Sequence, residues 1–185
     1  LGIDLHTGSN HRRNVPQLRT NLDQAATLSL ARAFAPEVIV HASLRDGSLR
    51  AAGAEAGLPV LVYEAGEPHR FNRWAIDAGE RGVFRVLLEL GMIKPEALGD
   101  LELGRPHPPL ECRTTRWVRA TQAGIMRLEA KLGDRVVKGQ RLGFVADAFG
   151  SHRRQLTSSA DGIILGIRRN PIVNRGDAVA HIGLL

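Results

Sequence analysis

Gly2-Ile3-Asp4-Leu5-His6-Thr7 reads as a short apolar strand that delivers an imidazole at its C-terminal end. Open α/β sheets place their ligand sites at the carboxyl ends of strands, and a neutral imidazole is a good zinc ligand. A hydrogen-bonded histidine at a strand end is the competing reading. Asp4 lies two residues back on the same face, where its carboxylate can support the ring. A second strand, within Leu58-Pro59-Val60-Leu61-Val62-Tyr63-Glu64-Ala65-Gly66-Glu67, brings Glu64 to its far edge beside a small residue and a glycine. A carboxylate is costly to bury unless it has a partner or a task. Glu64 therefore reads either as a general base acting on water or as one half of an ion pair with Arg70 or Arg73.

Around these two strands, residues 1 to 98 alternate short apolar runs with helical stretches, the rhythm of an α/β domain with mostly parallel strands. Strands are predicted over Gly2 to Leu5, Val38 to His41 and Val60 to Tyr63. One helix is predicted over Leu22 to Ala35, with Leu22, Ala25, Ala26, Leu30 and Ala33 on one side and Pro36 as its stop. Another runs from Ser48 to Glu55, closed by Gly57 before Pro59. A third runs from about Trp74 to Leu90, with Ile76, Val83, Leu87 and Leu90 as its apolar side and Gly91 after it. Residues 99 to 112 carry Pro106, Pro108 and Pro109 with little periodicity and read as a linker.

From Arg113 to Leu185 the texture changes to short β segments punctuated by glycine, with an imperfect repeat. Ala123-Gly124-Ile125-Met126 leads to Gly133-Asp134-Arg135-Val136, and Asp161-Gly162-Ile163-Ile164 leads to Gly176-Asp177-Ala178-Val179. Glycine supplies the positive φ of a tight turn, and aspartate closes such turns through local backbone contacts. Two such units facing each other make a small all-β sandwich. It resembles the biotinyl/lipoyl barrel-sandwich domains, with Val137-Lys138-Gly139-Gln140 in the place of one of their turns. Those carriers present a modifiable lysine on the hairpin between their halves. The stretch here, Asp147-Ala148-Phe149-Gly150-Ser151-His152-Arg153-Arg154, contains none, so attachment of biotin or lipoate is not expected.

With 185 residues, 43% hydrophobic and 24% charged, the chain is in the globular range for two domains. Its formal charge of +6 is scattered among acidic residues, aromatics are 4%, and there is no basic helix, so no nucleic-acid partner is expected. No apolar run is long enough for a membrane span. A single cysteine, Cys112, excludes an internal disulfide and a thiolate cluster, and a reducing, cytoplasmic setting is expected.

Asp4-Leu5-His6-Thr7, Asn14-Val15-Pro16-Gln17-Leu18-Arg19, Ser48-Leu49-Arg50 and Tyr63-Glu64-Ala65-Gly66 together resemble the C-terminal part of the succinylglutamate desuccinylase/aspartoacylase family. The resemblance implies an N-terminally truncated zinc-carboxypeptidase-like amidohydrolase, a mixed sheet with helices followed by a β-rich domain. It implies His6 as the last of three zinc ligands, Glu64 as the general base and Arg50 as the group that binds a substrate carboxylate. The substrate class implied is a small-molecule N-acyl amino acid. The family's His-x-x-Glu ligand pair and its Asp-Leu-Asn-Arg segment do not occur here. Three protein ligands are the rule for catalytic zinc, so these residues alone are expected to be inactive and not to hold zinc tightly. Two other readings are a zinc carboxypeptidase acting on peptides and a non-catalytic β-sandwich binding or scaffold module. A homo-oligomer is compatible with any apolar surface left uncovered.

Overall fold

A computed structural model describes residues 1–9 and 11–185. The chain divides into two compact units. The first comprises Leu1–His6, Pro16–Ala65 and Arg70–Glu111; the second comprises Thr7–Val15, Gly66–His69 and Cys112–Leu185.

The elements of the first half are β1 (Gly2–His6), β2 (Arg12–Thr20), α1 (Ala25–Phe34), β3 (Val38–His41), α2 (Leu49–Glu55), β4 (Val60–Gly66) and α3 (Arg73–Glu89). A 3-10 turn at Pro95–Leu98 and the short strand β5 (Leu110–Cys112) follow. In the first unit β1 lies beside β4, β4 beside β2, and β3 pairs with both β2 and β5. β1 and β4 run parallel in the register Gly2↔Val60 to His6↔Glu64, and β2 and β3 run parallel from Gln17↔Val38 to Thr20↔His41.

One face of this sheet is closed by helices. Leu18, Ile39, Leu61 and Tyr63 project into a core with Ala31 and Phe34 of α1 and with Ala75 and Val86 of α3. The helix ends follow local chemistry. Asn21 Oδ1 accepts from the Asp23 amide at 2.9 Å, an Asx turn that delays α1 until Ala25. Leu22, expected within the helix, is instead a buried residue of the turn, 4% exposed. α2 starts on Ser48, whose Oγ accepts from the Ala51 amide at 3.1 Å. α3 ends with Gly91 at φ 63°, the Gly91 amide on Leu88 O and the Met92 amide on Leu87 O, a Schellman closure.

The apolar side expected for α3 is only in part the side it buries: Val83 packs against the core. Its buried residues are Ala75, Gly79, Gly82 and Val86, while Ile76 and Leu90 are exposed. The rings of Phe34 and Tyr63 fill the room: a Cβ on Gly82 would stand 2.1 Å from Phe34 Cε1, and one on Gly79 would stand 2.9 Å from Tyr63 Cε1. The two rings lie with centroids 5.3 Å apart, and the Tyr63 hydroxyl donates to Ala75 O at 2.7 Å. Burial drives the Tyr63 phenol above its ordinary pKa.

The second unit holds β6 (Thr115–Arg119), β7 (Gly124–Leu128), β8 (Arg135–Val136), β9 (Arg141–Ala146), β10 (Arg154–Thr157), β11 (Gly162–Arg168), β12 (Ile172–Val173) and β13 (Ala178–Gly183). Antiparallel pairs β6–β13, β13–β11 and β11–β8 form one sheet, and β10–β9–β7–β12 form another. Val118, Met126, Leu142, Val145, Ile164 and Ile182, drawn from both sheets, share one apolar core. The repeat read in the sequence is visible in its turns. Asp134 Oδ2 accepts from the Lys131 amide at 2.8 Å, and Asp177 Oδ2 accepts from the Asn174 amide at 3.0 Å, each beside a glycine with positive φ, Gly133 and Gly176.

Candidate active site

Alternation along each strand fixes which side chains share a face. Ile3 of β1 and Tyr63 of β4 pack on the helical core, so Asp4, His6 and Glu64 project from the opposite face. His6 and Glu64 are direct register partners on adjacent parallel strands, which places their backbones about 5 Å apart. The imidazole and the carboxylate therefore leave neighbouring strand tips on one side of the sheet.

His6 Nε2 stands 3.0 Å from Asp4 Oδ2, with the imidazole 52% and the carboxylate 28% exposed. A carboxylate on one ring nitrogen fixes the tautomer and leaves Nδ1 for a ligand bond, the arrangement common behind metal-binding histidines. Among the described residues, no three His, Cys, Asp or Glu side chains gather as a metal-ligand set. The donor chemistry of His6 suits one zinc ligand, and the described residues do not complete a site of three.

Glu64 is held by a residue to which the sequence reading gave no role. Arg19 Nε lies 2.9 Å from Glu64 Oε2, with the two side chains 28% and 18% exposed. Arg73, one of the partners expected for Glu64, pairs instead with Asp77 one helical turn on, at 2.7 Å. The signal that could have found Arg19 is the alternation of β2: Leu18 faces the helical core, so Arg19 must face the side of Glu64. It was obscured because Pro16 made Arg12–Thr20 a poor strand candidate. In the structure Pro16 falls between the registered stretches Arg12–Asn14, paired with β11, and Gln17–Thr20, paired with β3.

Arg50, at the start of α2, donates Nη1 to Ala42 O and Nη2 to Ser43 O, both at 2.8 Å. It thereby braces the turn after β3. Burial, and then the neighbouring charges of Arg19 and Arg45, pull its guanidinium below the usual arginine range. Two of its five donors are engaged and the rest are available. Two of the histidines without an assigned role are bonded as follows: His41 Nδ1 accepts from the Leu22 amide at 3.3 Å, and His152 Nδ1 pairs with Asp147 at 2.8 Å.

The fold so described is a mixed α/β arrangement carrying an imidazole and a braced carboxylate at adjacent strand tips. Residues 1–90 match the sequence model of the succinylglutamate desuccinylase/aspartoacylase catalytic domain. No curated protein sequence matches the chain. Among solved structures it is similar to the ectoine utilization protein EutE (DoeB) from Ruegeria pomeroyi, at TM-score 0.83 and 21% identity, over 99% of this chain and 59% of that one. It is also similar to a succinylglutamate desuccinylase/aspartoacylase from Rhodobacter sphaeroides, at TM-score 0.81 and 24% identity, over 98% of this chain and 56% of that one. The chain thus spans less than two thirds of the length of these structures. No helix is long and apolar enough to cross a membrane among the described residues.

Proposed function

We propose that the whole protein is a zinc-dependent hydrolase of the amide bond in N-acyl amino acids, with His6 as one zinc ligand, Glu64 as general base and Arg50 as the anchor of the substrate carboxylate. The observation that carries this reading is the cross-strand register of His6 and Glu64 on one face, together with the Arg19 brace on Glu64. Zinc, when bound, supplies Lewis acidity that eases attack on the acyl carbonyl. Glu64 takes the proton of the attacking water and returns it to the departing amine. Arg19 holds the carboxylate in place by an ion pair at 2.9 Å. Asp4 orients the His6 ring. Arg50 offers its remaining N–H groups to a carboxylate, the class of group a guanidinium binds best.

Glu64→Gln in the whole protein is expected to keep zinc, measured by metal analysis, while lowering turnover by roughly 10²- to 10⁴-fold. Equal turnover in that variant refutes the assignment. The substrate panel is N-acetyl and N-succinyl amino acids beside a peptide with a free C-terminus. The likeness to an ectoine utilization protein adds compounds of ectoine breakdown to it. Cleavage of the peptide alone favours a carboxypeptidase instead. The 185 residues by themselves, offering His6 without two further ligands, are proposed to be inactive and to retain no tightly bound zinc. One zinc per chain after dialysis contradicts this.

The second unit is proposed to be a biotinyl/lipoyl-like barrel-sandwich kept for its structure. Its two sheets around one core and the paired Gly-Asp turns support that likeness, and the lysine-free stretch Asp147–Arg154 argues against a carrier role. A reducing, cytoplasmic setting is proposed from the lone, fully buried Cys112.

A further inference from the structure

On the helical side of the first unit's sheet, a cavity of about 270 Å³ opens between Tyr63, α3 and the proline-rich segment that includes Leu103 and Pro106. Its charged lining is Arg81, Arg85, Arg105, His107 and Glu37, three guanidiniums against one carboxylate. These groups do different work. Arg85 is structural: Nη1 donates to Phe34 O at 3.4 Å and Nη2 donates to Leu103 O, which fixes the wall of the cavity. Arg81 and Arg105 make no hydrogen bond or ion pair among the described residues. Arg81 sits one helical turn from Arg85, a like-charge spacing that destabilises a helix. Burial, and then Arg81, pull the Arg85 guanidinium below its usual range. A preformed cavity with two uncommitted cations and an unrelieved like-charge contact suits an anion.

We propose that this cavity binds a small polyanion, a dicarboxylate or a phosphate monoester, through the forks of Arg81 and Arg105. Guanidiniums recognise both groups by paired N–H bonds. The size decides the class. At about 270 Å³ the cavity lies just below the range of about 300 to 1,000 Å³ typical of pockets for drug-sized molecules, which suits a short-chain diacid or a monophosphate. The apolar edge formed by Leu103 and Pro106 suits a few methylene groups between the charges. His107, next to Glu37, adds to the attraction when protonated. Glu37 opposes it. The site lies on the face of the sheet opposite His6 and Glu64, and it stands independently of the hydrolase reading.

The test is titration calorimetry of the whole chain with inorganic phosphate, succinate and citrate, against chloride at equal ionic strength. Saturable binding of at least one of the three anions is expected, weakened at least tenfold in the Arg81→Gln/Arg105→Gln double variant. Glu37→Gln is expected to tighten it by two- to fivefold, because the opposing carboxylate is gone. If the double variant does not fold, as judged by circular dichroism, Arg105→Gln at its exposed position carries the test alone with at least a threefold loss. Heats matched by chloride, unchanged affinity in the arginine variants, or unchanged or weaker binding in Glu37→Gln each overturn the proposal. Phosphate without either carboxylate identifies the ligand as a phosphate ester, and the reverse identifies a diacid.

Discussion

Gly82→Ala is expected to destabilise the first unit by about 2 kcal/mol, although alanine is the better helix former. Removing a glycine from a helix interior favours folding by roughly 1 kcal/mol. Against that gain, the added Cβ would fall 2.1, 2.3 and 2.4 Å from Cε1, Cζ and Cδ1 of Phe34. Phe34 is 1% exposed and leans on Tyr63, and Tyr63 is anchored to Ala75 O, so the ring has nowhere to retreat. Forced overpacking of this kind costs up to about 3 kcal/mol, which leaves the net loss stated. The assay is urea unfolding followed by tryptophan fluorescence in a Trp117→Phe background, where Trp74 alone reports on α3. A midpoint shift without change of slope is expected, and a thermal midpoint lower by roughly 4–8 °C. Phe34→Leu combined with Gly82→Ala should recover at least about 1 kcal/mol relative to additivity. Gly79→Ala, whose Cβ meets only the edge of Tyr63 at 2.9 Å, should be close to neutral. A Gly82→Ala protein as stable as the parent, or more so, refutes the reasoning, since it would mean that Phe34 yields at no cost.

Two further outcomes follow from the titrating groups. The Asp147 carboxyl is held below the usual aspartate range, first by its bond to His152 and then by the amides of Ser151 and Phe149. A depressed value stabilises the turn above the ordinary aspartate pKa and loses that effect as pH falls through the depressed value; amide exchange at Ser151 should accelerate there, and Asp147→Asn should remove the acid limb, the idea failing if both proteins show the same profile. Burial pushes the Cys112 thiol up to about 11, so it should resist aromatic disulfide reagents at pH 8 until the protein is unfolded; prompt labelling of the native chain would contradict that burial.

How far the sequence carried depends on which residues were asked to speak. Val38–His41 is legible to the residue because four apolar or aromatic positions lie between a proline-closed helix and a polar loop. His6 and Glu64 are legible as strand-tip groups because apolar runs lead into both. β2 is not, since RRNVPQLRT mixes charge with a proline and shows a strand only once β3, β4 and β11 are there to pair with it. The phase of α1 and α3 is also hidden: alanine and glycine carry almost no hydropathy signal. The burial of Gly79 and Gly82 is decided by aromatic rings elsewhere in the chain. The Gly-Asp turns are legible because each closes on its own side chain, within three residues.

The glycines of α3 have a final consequence for how the first unit holds together. A segment with Gly79 and Gly82 at its centre is a weak helix by itself, and a peptide of Arg73–Glu89 in water would be mostly coil. Its order is borrowed from the aromatic surface beneath it. Melting the strand that carries Tyr63 must therefore release the helix as well, and the two will open as a single cooperative step rather than fray apart.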